Sequence, residues 1–212
     1  MSRRNIIARA ALFAGLIGVG GQAMAIEEPS YSVVSRNDSI EIREYQPYVV
    51  VETYVEAGFE SAGNEGFRRL FRYITGANAG GEEISMTAPV AQQAGTEIAM
   101  TAPVGQLRDS GGHWVSFMVP SQYSFATAPR PTEPRVRLRQ VPAQLVAAVR
   151  YSGFWSERRF AQEKGRLEAF MSEAGLEAAG EPQIARYDAP YVPPFMRRNE
   201  ILIPLAAGSD TE

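Results

Sequence analysis

The sequence contains no cysteine. Disulfides, thiolate-bound metals and cysteine nucleophiles are therefore excluded. It contains a single histidine, His113, so a zinc site built from several imidazoles is excluded. Ser-His-Asp catalysis would have to run through that one residue. The motifs HExxH, GxSxG and GxGxxG are missing, as are a Gly-rich phosphate loop and a convincing carboxylate pair. No enzyme is expected. The 21 Lys+Arg against 24 Asp+Glu give a formal charge of −3, and the body of the chain has no basic block, so no nucleic-acid partner is expected.

A long uninterrupted apolar run is also absent. Ala11 to Gly20 is broken by glycine at 15, 18 and 20 and falls short of the roughly 20 residues that span a bilayer. Arg3, Arg4 and Arg9 precede it, and Ala23-Met24-Ala25 follows as a small-x-small cleavage pattern. Residues 1–25 read as a secretory signal peptide, with no membrane span after cleavage. The protein is expected to be exported, to the periplasm, and Ser2-Arg3-Arg4-Asn5-Ile6-Ile7 resembles a twin-arginine signal. Losing the three arginines takes the charge to −6. One domain is expected over residues 26–205, with a polar, frayed tail at 206–212.

What the chain does contain is duplication. ISMTAPV (84–90) returns as IAMTAPV (98–104), and a larger repeat encloses it. IEIREYQPYVVVETYV (40–55) and VRLRQVPAQLVAAVRY (136–151) both alternate with period two, reach a proline and enter a Val-rich run. Each reads as strand broken or bulged at its proline. Each is followed by Gly-Phe and a helix. The first helix is expected over about Ser61–Thr75, with Phe67, Leu70, Phe71 and Ile74 as its apolar face, arginines on the flanks and Gly76 as its stop. The second is expected over about Ser156–Ala174, with Ser156 as N-cap, a stripe of Phe160, Leu167, Phe170, Met171 and Ala174, and a Schellman stop at Gly175-Leu176.

An Ala-Pro strand is expected after each helix, ISMTAPV in one half and ARYDAPY (185–191) in the other. The plan is strand, helix, strand, strand, performed twice, over about 31–120 and 134–205, with IAMTAPV as an extra strand. In ISMTAPV, Ile84, Met86 and Ala88 alternate with Ser85 and Thr87, so Met86 and Met100 could wall a pocket or fill ordinary core.

IEIREY, GFRRLFRYITGAN (66–78), the MTAPV strands, WVSFMVPSQY (114–123) and RRNEIL (197–202) together resemble the SOUL/heme-binding protein family, over about Tyr31 to Leu205. The resemblance implies an α+β fold: a distorted antiparallel β-barrel with two flanking helices and two pseudo-symmetric halves. It also implies a heme or tetrapyrrole ligand, held by apolar contacts in a groove beside the first helix. The groove positions carried onto this chain are Asn64, Phe67, Phe71 and Arg72, with two phenylalanines where characterised animal members tend to have methionines and Asn64 in place of a cation. YVPPFM (191–196) lacks the lysine that elsewhere lies near the groove.

Phe67 and Phe71 also belong to the expected core stripe, and sequence leaves both placements open. His113 follows Asp109-Ser110-Gly111-Gly112 and reads as an exposed turn residue, an axial heme ligand being the other reading. The expected function is an exported heme or tetrapyrrole carrier or buffer. The alternative is an effector-like or protein-interaction module that takes other amphipathic ligands.

Overall fold

The computed structural model describes residues 26–95 and 111–206. Nine strands and two helices follow in the order β1 (Tyr31–Asn37), β2 (Ile40–Tyr45), β3 (Tyr48–Val55), α1 (Phe59–Ile74), β4 (Val90–Gly95), β5 (Gly112–Met118), β6 (Val136–Val141), β7 (Gln144–Tyr151), α2 (Glu157–Glu173), β8 (Gln183–Arg186) and β9 (Asn199–Pro204). All described strand pairs are antiparallel and form one curled sheet, a distorted open barrel, in the order β1-β2-β7-β9-β8-β4-β5-β3-β6.

Leaving out β1, that order is a palindrome. Exchanging β2 with β6, β3 with β7, β4 with β8 and β5 with β9 returns the same sheet. Each half is strand, strand, helix, strand, strand. The proline breaks create the exchange, because each long alternating segment is cut in two. Gln46-Pro47 separates β2 from β3 and Pro142-Ala143 separates β6 from β7. Proline has no N–H for the ladder, so the chain leaves its partner there. The freed second strand then joins the other half: β2 pairs with β7, and β3 with β6.

Both helices lie on one face of the sheet. Under α1, Leu70, Tyr73 and Ile74 pack on Val49, Val51, Val115 and Phe117. Under α2, Leu167 and Met171 pack on Ala147, Val149, Ile201 and Ile203. The Ser156 side chain accepts from the Arg159 N–H, as an N-cap should. Both helices end in Schellman geometry. Gly175 has φ +66°, and the Leu176 N–H donates to Met171 O at 2.9 Å. Gly76 has φ +111°, and the Ala77 N–H donates to Arg72 O at 2.8 Å.

Both expected helix faces are corrected. The buried side of α1 is Ala62, Gly63, Gly66, Arg69, Leu70, Tyr73 and Ile74, so the face is rotated from the expected stripe; Phe67 is half-buried and Phe71 exposed. Arg69 is inside, donating to Tyr54 O at 2.9 Å. On α2, Ala174 is exposed and Glu163 is buried instead.

Residues 84–89 are not a strand. β4 begins only at Val90, after a cis Ala88–Pro89 peptide. The alternation therefore fails, for Ile84, Thr87 and Ala88 are all buried and Met86 is exposed. Thr87 is fixed by donating its hydroxyl to Met118 O at 2.6 Å. The Ala-Pro of the second half follows β8 rather than preceding it, so the two Ala-Pro motifs are not equivalent. IAMTAPV lies outside the described residues.

The rotation of α1 has a packing cause. A Cβ on Gly66 would sit 2.5 Å from Val115 Cβ and Cγ2, so the helix approaches β5 closely at this point. Gly66→Ala is expected to destabilise by about 1–3 kcal/mol through overpacking, against the roughly 1 kcal/mol that helix propensity alone would add. Urea denaturation checks this; a neutral or stabilised variant would refute the close-approach account.

Candidate functional site

Asn64, Phe67 and Phe71 fall at i, i+3 and i+7 on α1, on one flank of the helix. The Phe67 and Phe71 rings stack, with centroids 5.9 Å apart and planes 13° from parallel. Phe67 also meets Phe117 of the core edge-on at 5.3 Å. It thus anchors the pair, while 43% of Phe71 remains open. Of the two rings, Phe67 takes the core side and Phe71 is exposed.

Arg72 lies beside them with 59% of its side chain exposed, 3.8 Å from Glu133. Glu133 is held more closely by Arg135, at 2.8 Å. That arginine, above all by its hydrogen bond, keeps the Glu133 carboxyl below its usual range. Arg72 is therefore loosely tied. Met86 is exposed on the segment whose Ile84 N–H donates to Ile74 O at the end of α1. Met100 lies outside the described residues.

His113 does not occupy an exposed turn. It is the second residue of β5 and half-buried. Its Nδ1 lies 3.1 Å from Ala57 O, and its ring meets Phe59 edge-on at 5.9 Å. The turn signal in the sequence is displaced by a residue because Gly112 already belongs to the strand. Phe59 opens α1, and twelve residues of helix place Phe71 roughly 18 Å further along the axis. The imidazole is remote from the aromatic pair. Among the described residues, no group of three or more His, Asp or Glu side chains could hold a metal ion.

The sheet face opposite the helices curls around a cavity of about 410 Å³ that receives side chains from β2 to β9. Tyr48, Val50, Trp114 and Met118 supply apolar wall. The polar part is Glu52 of β3, buried between two arginines of β6. Arg137 Nε donates to Oε1 at 2.9 Å and Arg139 Nε to Oε2 at 2.8 Å. Arg137 also covers the Trp114 ring at 4.0 Å.

Further along the same face is a second buried carboxylate, Glu200 of β9. It accepts from Arg43 at 2.6 and 3.1 Å, from Arg198 at 3.0 Å and from the Tyr187 hydroxyl at 2.9 Å. Burial alone would raise its pKa, but the Arg43 and Arg198 contacts prevail and hold the carboxyl below its usual range. The motifs IEIREY and RRNEIL meet here, Arg43 from one and Arg198 and Glu200 from the other. Both motifs are legible in the sequence, whereas the contact between them joins residues 157 apart and has no local signal.

Fold and cavity together define a two-fold pseudo-symmetric α+β class, a curled antiparallel sheet with two helices on one face and a cavity on the other. The chain belongs to the SOUL heme-binding protein family, whose sequence pattern matches residues 26–204. It is 29% identical to heme-binding protein 2 of Homo sapiens over 158 residues, covering 72% of this chain and 73% of that protein. Identity to heme-binding protein 1 of Xenopus laevis is 24% over 181 residues, with 83% of this chain and 90% of that protein covered. In fold it is similar to the EcmrR C-terminal domain, with TM-score 0.56, 14% identity and 83% and 98% of the two chains covered.

Proposed function

We propose that the protein binds heme or a related tetrapyrrole on the outer flank of α1 and acts as an exported carrier or buffer, without a catalytic step. The observation that carries this is the stacked pair itself. A half-buried Phe67 braces an open Phe71, so a flat apolar surface is presented at fixed orientation. An aromatic macrocycle can lie against it in offset contact. Arg72 stands beside the rings with only a long contact to Glu133 among the described residues, free to take a propionate. The family and the heme-binding names of the relatives support the ligand class. Asn64 supplies a polar rim, and Met86 adds soft apolar surface near the end of the helix. No strong axial bond is needed: apolar burial at roughly 25 cal/mol per Å² supports micromolar affinity. Export rests on the pattern in residues 1–25, which lie outside the described residues.

Hemin titration followed by the Soret band tests the reading. Phe71→Ala is expected to weaken binding roughly tenfold. Arg72→Ala is expected to weaken it several-fold, the modest loss of an exposed ionic contact. His113→Ala should leave affinity and Soret position unchanged. A shifted Soret band in His113→Ala would make the imidazole the ligand and move the site. Sequencing of the exported protein should find Ile26 at its N-terminus.

A further inference from the structure

The sheet cavity is on the face away from α1, and the heme reading leaves it unused. Phe67 touches Phe117 on the helix side of β5, whereas Trp114, Ser116 and Met118 of the same strand face the cavity. We propose that this cavity is a second ligand site, selective for a flat aromatic body that carries one anionic group such as a carboxylate or sulfonate.

The charge arrangement decides the sign. A buried carboxylate in an aromatic cavity would by itself recruit cations. Here Glu52 is already spent: its side chain is 3% exposed, and each oxygen accepts from a different arginine. The arginines are not spent in the same way. Arg137 keeps 46% and Arg139 40% of the side chain exposed, and both line the cavity. Two guanidiniums against one carboxylate leave a net positive wall at β3 and β6. Its spare N–H groups suit a carboxylate or sulfonate. Glu181, the remaining lining acid, is exposed and adjoins β8, at the other side of β3, β5 and β4 in the sheet order.

The aromatic half of the ligand has its own partners. Tyr45, Tyr48 and Trp114 line the same space. Arg137 lies against the indole, so Trp114 is held in a fixed pose next to the anion-binding wall. Glu52 then has a positioning role: it splays the two arginines by engaging them through separate oxygens, and it sets the net charge of that wall at plus one.

The test uses the mature protein with anilinonaphthalene sulfonate as the anionic aromatic probe and tetraphenylphosphonium as the cationic one. The readout is the pair of indole N–H resonances, since the chain has two tryptophans, assigned through Trp114→Phe and Trp155→Phe. The anionic probe is expected to shift the Trp114 signal saturably and leave Trp155 in place, and to bind at least tenfold more tightly than the cation. Arg139→Gln should weaken the anion at least fivefold. Glu52→Gln should tighten it several-fold, because it removes the competing negative charge while the amide oxygen still accepts from one arginine. Preference for the cation, a shift at Trp155 alone, or an Arg139→Gln affinity equal to wild type would overturn the proposal. The indole readout is local to the cavity, so failure there leaves the α1 groove untouched. Should Glu52→Gln fold poorly, the wild-type probe comparison and Arg139→Gln still decide the question.

Discussion

Glu200→Ala is expected to lower folding stability by about 3–5 kcal/mol, the usual loss when one member of a buried ion pair is removed. The cost arises in what remains. Arg43 is 3% exposed in its side chain and gives Glu200 two hydrogen bonds. Without the carboxylate, Arg43 has only Glu41 and the Tyr45 hydroxyl as polar partners among the described residues. Arg198 retains Glu28, and Tyr187 loses the acceptor of its hydroxyl. The guanidinium of Arg43 cannot shed its proton to escape burial, because arginine stays protonated in proteins.

Urea denaturation of Glu200→Ala, Arg43→Met and the double variant Glu200→Leu with Arg43→Met measures the network. The double variant should recover much of the loss, because an apolar pair leaves no stranded charge. A Glu200→Ala loss below about 1 kcal/mol would show that the arginines reach water in its place. The carboxyl's lowered pKa also fixes an acid dependence. Its contribution is complete above the unfolded value of about 4.3 and is lost as pH falls through the lower folded value.

This network shows where sequence reading stops. The strand breaks were legible because proline acts locally, and the helix ends because Gly76, Gly175 and Ser156 act within one turn. The rotated face of α1 was not read, because its burial is marked by small residues rather than large ones. Gly66 lets the helix press onto β5 and Gly63 brings it against Gln92 of β4 and Arg186 of β8, and the phenylalanines that a hydrophobicity count would place inside are displaced to the flank. That displacement leaves Phe71 open while Phe67 stays half-buried against Phe117.

Residues 84–89 imitate a strand by their alternation, but Pro89 and the Thr87–Met118 contact hold them irregular. The polar pairs of the sheet cavity had no local signal at all. Glu52 meets Arg137 and Arg139 across 85 and 87 residues, a pairing set by the exchange of strands between halves.

The second large effect is expected in alkali. Burial pushes the phenols of Tyr45, Tyr73 and Tyr151 up to about 12, with Arg43 opposing at Tyr45. It pushes Tyr187 well above its ordinary value. The folded state therefore keeps these protons while the unfolded chain releases them above pH ~10. The native state binds more protons in that window, so stability is full below pH ~10 and declines as pH rises toward 12. A two-unit shift corresponds to roughly 3 kcal/mol for each phenol, so several together rival the 5–15 kcal/mol of an ordinary domain.

Cooperative unfolding is expected before pH 12, with phenolate absorbance and loss of near-UV circular dichroism rising in one step. Gradual phenolate formation with native dichroism intact would contradict it. Tyr151→Phe separates burial from bonding. Its hydroxyl is buried without a hydrogen-bond partner among the described residues, whereas Tyr73 donates to Pro129 O at 2.8 Å. Removing the Tyr151 hydroxyl should therefore cost nothing at neutral pH and move the alkaline midpoint upward, while Tyr73→Phe should lose about 1 kcal/mol at neutral pH for its missing hydrogen bond.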